Sequence, residues 1–339
     1  MKRVLAVRQD NNGDVLLAGP ALRALRAGCD RLALLCGPRG EAAAKLLPGV
    51  DDMIVWEAAW IDSDPKKVQR DDVKAFVDEV SRNRFTEAVL FTSFHQSPLP
   101  MALLLRMAGI SRIGAISIDY PGSLLDVRHR VDDDIHEVER ALSLVRAMGY
   151  ELPEGDDRRL VMRDLPKWQP DGEGHVVVHP GCTVPARTWS ADGFRTAVQF
   201  LAESGFDVIV TGGRDEIELT RYVAGSHARV RDAGGMTTFA QFASIVRDAS
   251  AVVCGNTAAT HVASATGTPV VEIFPPTIPA VRFHPWMVPY VMLGDQKIGC
   301  AGCRARTCPI PGQPCLRDVT PEAIVAAVRS LVPQMEAVS

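Results

Sequence analysis

Four short segments hold residues whose types and spacing could do chemistry. The first, Arg8-Gln9-Asp10-Asn11-Asn12-Gly13-Asp14, follows an apolar run and precedes Val15-Leu16-Leu17. Gly13 admits backbone conformations closed to other residues, and Asp14 falls at the start of a helix. Its carboxylate reads either as a helix N-cap or as a general base held at a strand end. A helix N-terminus lowers the basicity of such a group, while a desolvated site raises it. The second segment runs from Pro180-Gly181 through Cys182, Thr183 and Arg187 to Trp189. A loop of this kind between strand and helix suits a phosphate, with Thr183 offering a hydroxyl donor and Arg187 a charged fork. In the third, Gly212-Gly213-Arg214-Asp215-Glu216, an acid after a Gly pair can accept hydrogen bonds from ribose hydroxyls. The same acid is equally an ordinary member of a first helical turn. The fourth, Cys254-Gly255-Asn256-Thr257-Ala258-Ala259-Thr260-His261, is a strand, a polar turn and the start of a small-residue helix that lets a ligand approach. Taken alone, His261 reads as a satisfied core histidine before it reads as a catalytic one.

The elements that must position these segments alternate along nearly the whole chain. Short continuous apolar runs at 3–7, 31–36, 53–55, 87–92 and 112–115 predict strands. Helical patterns at 15–26, 40–47, 68–82, 99–109 and 135–148 lie between them. Continuous rather than alternating apolar runs are expected when helices cover both faces of a parallel sheet. A stretch rich in Pro, Asp, Glu and Gly from Gly149 to Gly174 then interrupts the pattern. It divides the chain into a domain over 1–150, a linker over 151–174 and a second domain over 175–335. In the second domain strands are predicted at 175–178, 207–211, 251–254 and 269–274, and helices at 191–204, 215–225, 238–247 and 258–266. A final helix opens at Thr320-Pro321 and ends at Leu331, free to pack back on the first domain. Two doubly wound α/β domains place a ligand site in the cleft between them, at the carboxyl ends of the strands.

Composition excludes other classes. Acidic residues outnumber basic ones, 41 to 37, for a formal net charge of -4. That balance argues against a nucleic-acid partner. A charged fraction of 23% excludes wholesale disorder. No run reaches the roughly 20 apolar residues of a membrane-spanning helix. Val4–Val7 is too short for a signal-peptide core, so a cytoplasmic protein is expected, with peripheral contact at the inner face of the membrane left open. The acidic triplets Asp62-Ser63-Asp64 and Asp132-Asp133-Asp134 imitate metal-binding patterns but lie in polar stretches away from any strand end.

Taken in order, the motifs resemble glycosyltransferase family 9, the heptosyltransferases of the lipopolysaccharide core, from about Lys2 to Leu331. The likeness rests on Asn12-Gly13-Asp14-Val15-Leu16, Pro180-Gly181 with Arg187-Thr188-Trp189, Gly234-Gly235-Met236-Thr237, and Gly255-Asn256-Thr257 with Thr260-His261-Val262-Ala263. It implies a GT-B fold, two Rossmann-like domains facing each other across a cleft, and metal-independent inverting transfer from a nucleotide-diphosphate sugar, most of all ADP-heptose. No other cofactor is implied. Asp14 then matches the catalytic base, Arg187 and Thr183 the donor phosphate loop, and Asp215, with Glu216 as the alternative, the acid on the ribose. Met236 and Thr237 lie where the family's backbone meets adenine, and Asn256, Thr257 and His261 at the helix start beneath the donor phosphates and sugar. The acceptor, a surface glycan or a soluble natural product, falls to the first domain, with Asn12, Gly13, Phe94, His95 and Ser97 beside it. Arg112, Asp119-Tyr120 and Arg128-His129-Arg130 are further candidates there, and His136 with Arg140 reads as structural or acceptor-facing. Asn256 stands where the best-known first heptosyltransferase carries Asp, and Arg187 where it carries Lys, which alters charge and reach.

Cys300, Cys303, Cys308 and Cys315 crowd into one late segment. A thiolate metal site would staple a long loop there, but the spacing fits no paired Cys-(x)2-Cys repeat. Free thiols or a disulfide are the alternatives. Two competing functions remain at this level: a nucleotide-sugar epimerase, which needs more cleft carboxylates than Asp14, and a non-enzymatic metal- or nucleotide-binding module.

Overall fold

Runs of Val, Leu, Ile and Ala without polar alternation suit strands that are covered on both faces. In the computed structural model, which describes residues 1–61, 65–93, 95–168 and 174–332, such runs build two units, Met1–Arg163 and Asp164–Ser339. Phe94 and the Asp62-Ser63-Asp64 triplet lie outside the described residues.

The first unit holds six strands, β1 (Arg3–Arg8), β2 (Arg31–Cys36), β3 (Asp52–Val55), β4 (Glu87–Phe91), β5 (Arg112–Ile116) and β6 (Val127–His129). They pair in parallel in the order β3-β2-β1-β4-β5-β6. Six helices accompany them: α1 (Asn12–Leu17), α2 (Gly19–Ala27), α3 (Glu41–Ala44), α4 (Arg70–Arg82), α5 (Leu99–Met107) and α6 (Glu137–Ala147). The second unit repeats the plan with β7 (Val176–His179), β8 (Val208–Val210), β9 (Val230–Asp232), β10 (Ala251–Gly255), β11 (Val270–Ile273) and β12 (Tyr290–Leu293). These also pair in parallel, in the order β12-β11-β10-β7-β8-β9. Its helices are α7 (Ala191–Glu203), α8 (Ile217–Ala224), α9 (Phe239–Arg247), α10 (Ala258–Thr266) and α11 (Pro321–Leu331).

Three strands, β6, β9 and β12, were not expected from the sequence, although β12 does carry the apolar run Val291-Met292-Leu293. All three are sheet edges. An edge strand is covered less completely, so Val127-Arg128-His129 and Val230-Arg231-Asp232 can be half polar. The helix expected over 15–26 is two helices meeting at Ala18, because Pro20 in the first turn of α2 has no N–H to continue the ladder. Gly13 needs no special conformation: it is buried within α1, and its φ is not positive.

The boundary between the units falls inside the expected linker. Asp156 binds Arg23 of α2 through two bonds of 2.6 and 2.7 Å, Leu160 is buried, and Arg163 donates its N–H to the Leu46 carbonyl. Those contacts strap 151–163 to the first unit, whereas the Pro166 carbonyl accepts from Ser244 of α9. The last helix, α11, belongs to the second unit. Ile324, Val325, Ala327 and Val328 on its apolar face join the core built by α7 and the second sheet. Thr320 caps it, accepting from Ala323 N–H at 3.2 Å.

Candidate functional site

In a doubly wound sheet the loops diverge at the point where strand order reverses, and ligands bind at the carboxyl ends there. The first sheet reverses between β1 and β4, and the second between β7 and β10. The segments singled out in the sequence follow these strands.

In the first unit the residue at the centre is one that sequence reasoning missed. Arg8, the last residue of β1, is buried, and its guanidinium gathers three carboxylates. Nε lies 2.9 Å from Asp10 Oδ2, Nη2 lies 3.0 Å from Asp14 Oδ1, and Nη1 lies 3.8 Å from Glu137 Oε2. Nη2 also donates to Ser93 Oγ, which donates to Asp10 Oδ1; Gln96 Nε2 donates to the same oxygen at 2.7 Å. Burial works against the Arg8 charge, but Asp10, Asp14 and Glu137 outweigh it and hold the guanidinium above its ordinary pKa. Burial pushes the Asp10 carboxyl up; Arg8 pulls it down, and Asp14 adds to the rise. The clue in the sequence was an Arg closing the apolar run Val4–Val7 at the end of β1.

Asp14 is therefore neither the N-cap, which is Asn11, nor a loose surface acid. It sits in the first turn of α1, with its side chain 20% exposed and one oxygen held by Arg8. Asn12 turns its side-chain oxygen to the Ala43 N–H at the start of α3, at 3.0 Å, and so serves packing. Ser97 donates to Asp119, and His95 lies beside it in the loop after β4. Arg112 belongs elsewhere: it opens β5 and pairs with Glu87, the first residue of β4, at the amino ends of the strands. His136 caps α6, Arg128 donates to the carbonyls of Ser117 and Ile118, and Tyr120 is exposed.

In the second unit the loop after β7 carries Thr183, which is exposed, and Arg187, which is half-buried. Arg187 Nε is buried and has no hydrogen-bond partner among the described residues, as suits a group awaiting an anion. Its backbone lies over Gly255: a Cβ there would come within 3.3 Å of the Arg187 carbonyl oxygen. The turn Gly255-Asn256-Thr257 leads into α10, where Thr257 is the cap and accepts from Ala259 N–H. The Arg187 backbone and the start of α10 thus lie together at the reversal point of the sheet. His261 is buried on α10.

The two candidate ribose acids differ in placement. Asp215 projects into solvent. Glu216 is half-buried, accepts from the Gly213 N–H at 2.7 Å, and lies so close to Gly181 that a Cβ there would fall 1.9 Å from its carboxylate. His179, ending β7, is held below its ordinary pKa by burial, with Glu216 pulling the other way, and hydrogen-bonds Thr211 at 3.0 Å. Gly234 and Gly235 pack tightly on Thr220 and Ile217 of α8, leaving Met236 exposed and Thr237 half-exposed just ahead of α9. Cys300, Cys303, Cys308 and Cys315 line one small cavity as free thiols. Among the described residues no three metal-binding side chains are grouped closely enough to hold an ion.

Comparison with known proteins agrees with this layout. The sequence profile of glycosyltransferase family 9 (heptosyltransferase) matches residues 82–313. Lipooligosaccharide heptosyltransferase 2 of Campylobacter jejuni is 21% identical over 166 residues, 48% of this chain, and the chain spans about half (52%) of that relative. Among solved structures, a family 9 glycosyltransferase from Veillonella parvula superposes with a TM-score of 0.78 at 16% identity, covering 98% of this chain and 97% of the other. The ADP-heptose lipopolysaccharide heptosyltransferase II of E. coli gives 0.74 at 18% identity, with coverage of 99% and 100%. The fold is the GT-B fold of those enzymes.

Proposed function

The chain belongs to glycosyltransferase family 9, and from that membership we propose that it moves a heptose from ADP-heptose to an acceptor hydroxyl, with inversion and without a metal ion. That it is a glycosyltransferase follows from the family. One observation carries the proposal. At the strand-order reversal of the second sheet, Arg187, half-buried and with no partner for its buried Nε among the described residues, has its backbone against the turn that opens α10.

Inverting transfer needs a base for the acceptor proton and stabilisation of the departing diphosphate. Asp14 supplies the first: Arg8 fixes one of its oxygens and leaves the carboxylate partly open to solvent. Arg187, Thr183 and the N–H groups following Thr257 supply the second, since a charged fork and a helix start together neutralise a diphosphate. Glu216, in place of Asp215, accepts from the ribose hydroxyls, because its carboxylate rather than that of Asp215 lies against the β7 loop. Met236 and Thr237 meet the base, Asn256 and His261 the sugar, and the start of α1 at Asn12-Gly13 with the His95–Ser97 loop the acceptor, a surface glycan or natural product.

The deciding experiment is a thermal-shift panel of ADP, GDP, UDP and dTDP with their sugars. Ligands that bind the native state raise the melting temperature with affinity. ADP and ADP-heptose should give the largest shifts; a uridine or thymidine preference would overturn the donor assignment.

A further inference from the structure

Glu272 is wholly buried on β11, and neither base catalysis nor phosphate binding uses it. Its chain neighbours Val271 and Ile273 point into the core shared with α7 and α11, so Glu272 points to the opposite face of the sheet, where α10 lies. Its register partner on β10 is Cys254. From α10, Thr260 brings Oγ1 to 3.0 Å from Glu272 Oε1. The same Oγ1 is 3.3 Å from the Gly255 carbonyl oxygen and 3.4 Å from Cys254 Sγ. The Asn256 side chain is near enough to act on the carboxyl, although Asn256 Nδ2 and Glu272 Oε2 complete no well-formed hydrogen bond among the described residues. A single hydroxyl thus joins a buried acid to the carbonyl that precedes Asn256.

We propose that Glu272 is a positioning residue for the donor turn, fixing the Gly255–Asn256 peptide through Thr260 so that Asn256 and Thr257 are presented to the sugar diphosphate. The proposal rests on the donor reading above. Its logic is a count of protons, because a threonine hydroxyl has one to give. When Glu272 is a carboxylic acid, its O–H donates to Thr260 Oγ1, and Thr260 is free to donate to the Gly255 carbonyl. When Glu272 is a carboxylate, it claims the Thr260 proton and the Gly255 carbonyl is released. Burial pushes the carboxyl up to about 8, with Thr260 and Asn256 pulling the other way, so the first arrangement holds at neutral pH. Cys254 is the titratable group set against it from β10, and burial keeps that thiol protonated; His261 follows Thr260 on α10.

The test follows the side-chain amide of Asn256 by ¹H–¹⁵N NMR between about pH 6 and pH 9.5, with the resonance assigned from N256A. In the wild type it should titrate with a midpoint near 8; in E272Q it should not. T260S, which keeps the hydroxyl, should behave as wild type and T260V should not, so the result survives a poorly folding E272Q. An unmoved amide in the wild type, or the same titration in E272Q, overturns the proposal. ADP binding by calorimetry should weaken about fivefold or more from pH 7 to pH 9 in the wild type and stay within about twofold in E272Q. If the amide titrates as described and ADP binds at no pH, positioning of the turn stands and the donor reading falls. If ADP binds with one pH dependence in both proteins, the proposal falls and the donor reading stands.

Discussion

Arg8 and Asp14 can be told apart by what each removal should cost. Asp14 keeps part of its surface open and gives up one oxygen to Arg8, so its loss strikes chemistry more than folding. D14N should lower turnover by about 10²- to 10⁴-fold, the usual worth of a positioned base, while ADP affinity and melting temperature stay near wild type. Initial rates with a calorimetric titration check this, and an active D14N would remove the assigned base. Arg8 behaves differently, because Asp10 and Glu137 are buried around it. R8A should destabilise the protein by about 3–5 kcal/mol, since removing one partner of a buried ion pair strands the others. Urea denaturation measures it, and a loss below about 1 kcal/mol would mean the cluster rearranges cheaply. Sequence reasoning found Asp14 through its Asn-Gly-Asp setting. It gave Arg8 and Asp10 no role, because their partners Ser93, Gln96 and Glu137 lie far along the chain and reach them only through the pairing of β1 with β4 and the placement of α6.

At the scale of elements, strands and helices with a strong apolar signature were readable and weakly covered ones were not. β1, β2, β4, β7 and β10 are buried nearly throughout, and each shows as a continuous apolar run. Helix starts were legible where a side chain caps them, as at Ser190, Thr238 and Thr320. The edges β6 and β9 were not, because half-exposed strands tolerate Arg, His and Asp; β12 went unread despite its run Val291-Met292-Leu293. The loop after β7 offers an element-scale test. Gly181 leaves room for the Glu216 carboxylate, and that carboxylate is the far end of a flexible side chain. G181A should therefore fold with little loss of stability but push Glu216 aside, weakening ADP binding by about tenfold or less, as expected for one or two hydrogen bonds. Unchanged calorimetric affinity would place Glu216 outside the ribose site.

For the whole molecule, the pH dependence of stability has opposing arms. Asp52 and Asp156 are held below the ordinary carboxylate range by hydrogen bonds from Arg31 and Arg23, so what they contribute is lost as the solution becomes strongly acid. Glu272 acts in the other direction. Its carboxyl titrates near 4.5 when exposed and near 8 when folded, so the unfolded chain releases that proton first. Stability should fall as pH rises between those values, by at most about 1.4 kcal/mol per pH unit for one proton, and level off above. Urea midpoints from about pH 5 to pH 8.5 should show the decline in the wild type and a flatter profile in E272Q. Parallel profiles for the two proteins would contradict it. Each unit has its own core, with Leu5, Leu35, Phe76 and Leu105 in the first and Val178, Phe194, Leu201 and Ile324 in the second.

The amino-acid order alone determined the α/β class, the two-part organisation, the family likeness and the segments that carry Asp14, Arg187 and Asn256, because those signals are local: periodicity, caps and short motifs. Three things needed the folded chain. Strand order decided that the β1 and β4 loops meet in one unit and the β7 and β10 loops in the other. Packing decided that Glu216 and not Asp215 lies against the β7 loop. Burial decided that Glu272 keeps its proton near neutrality. Each depends on neighbours distant in sequence, whose distances and desolvation exist only once the sheets have closed.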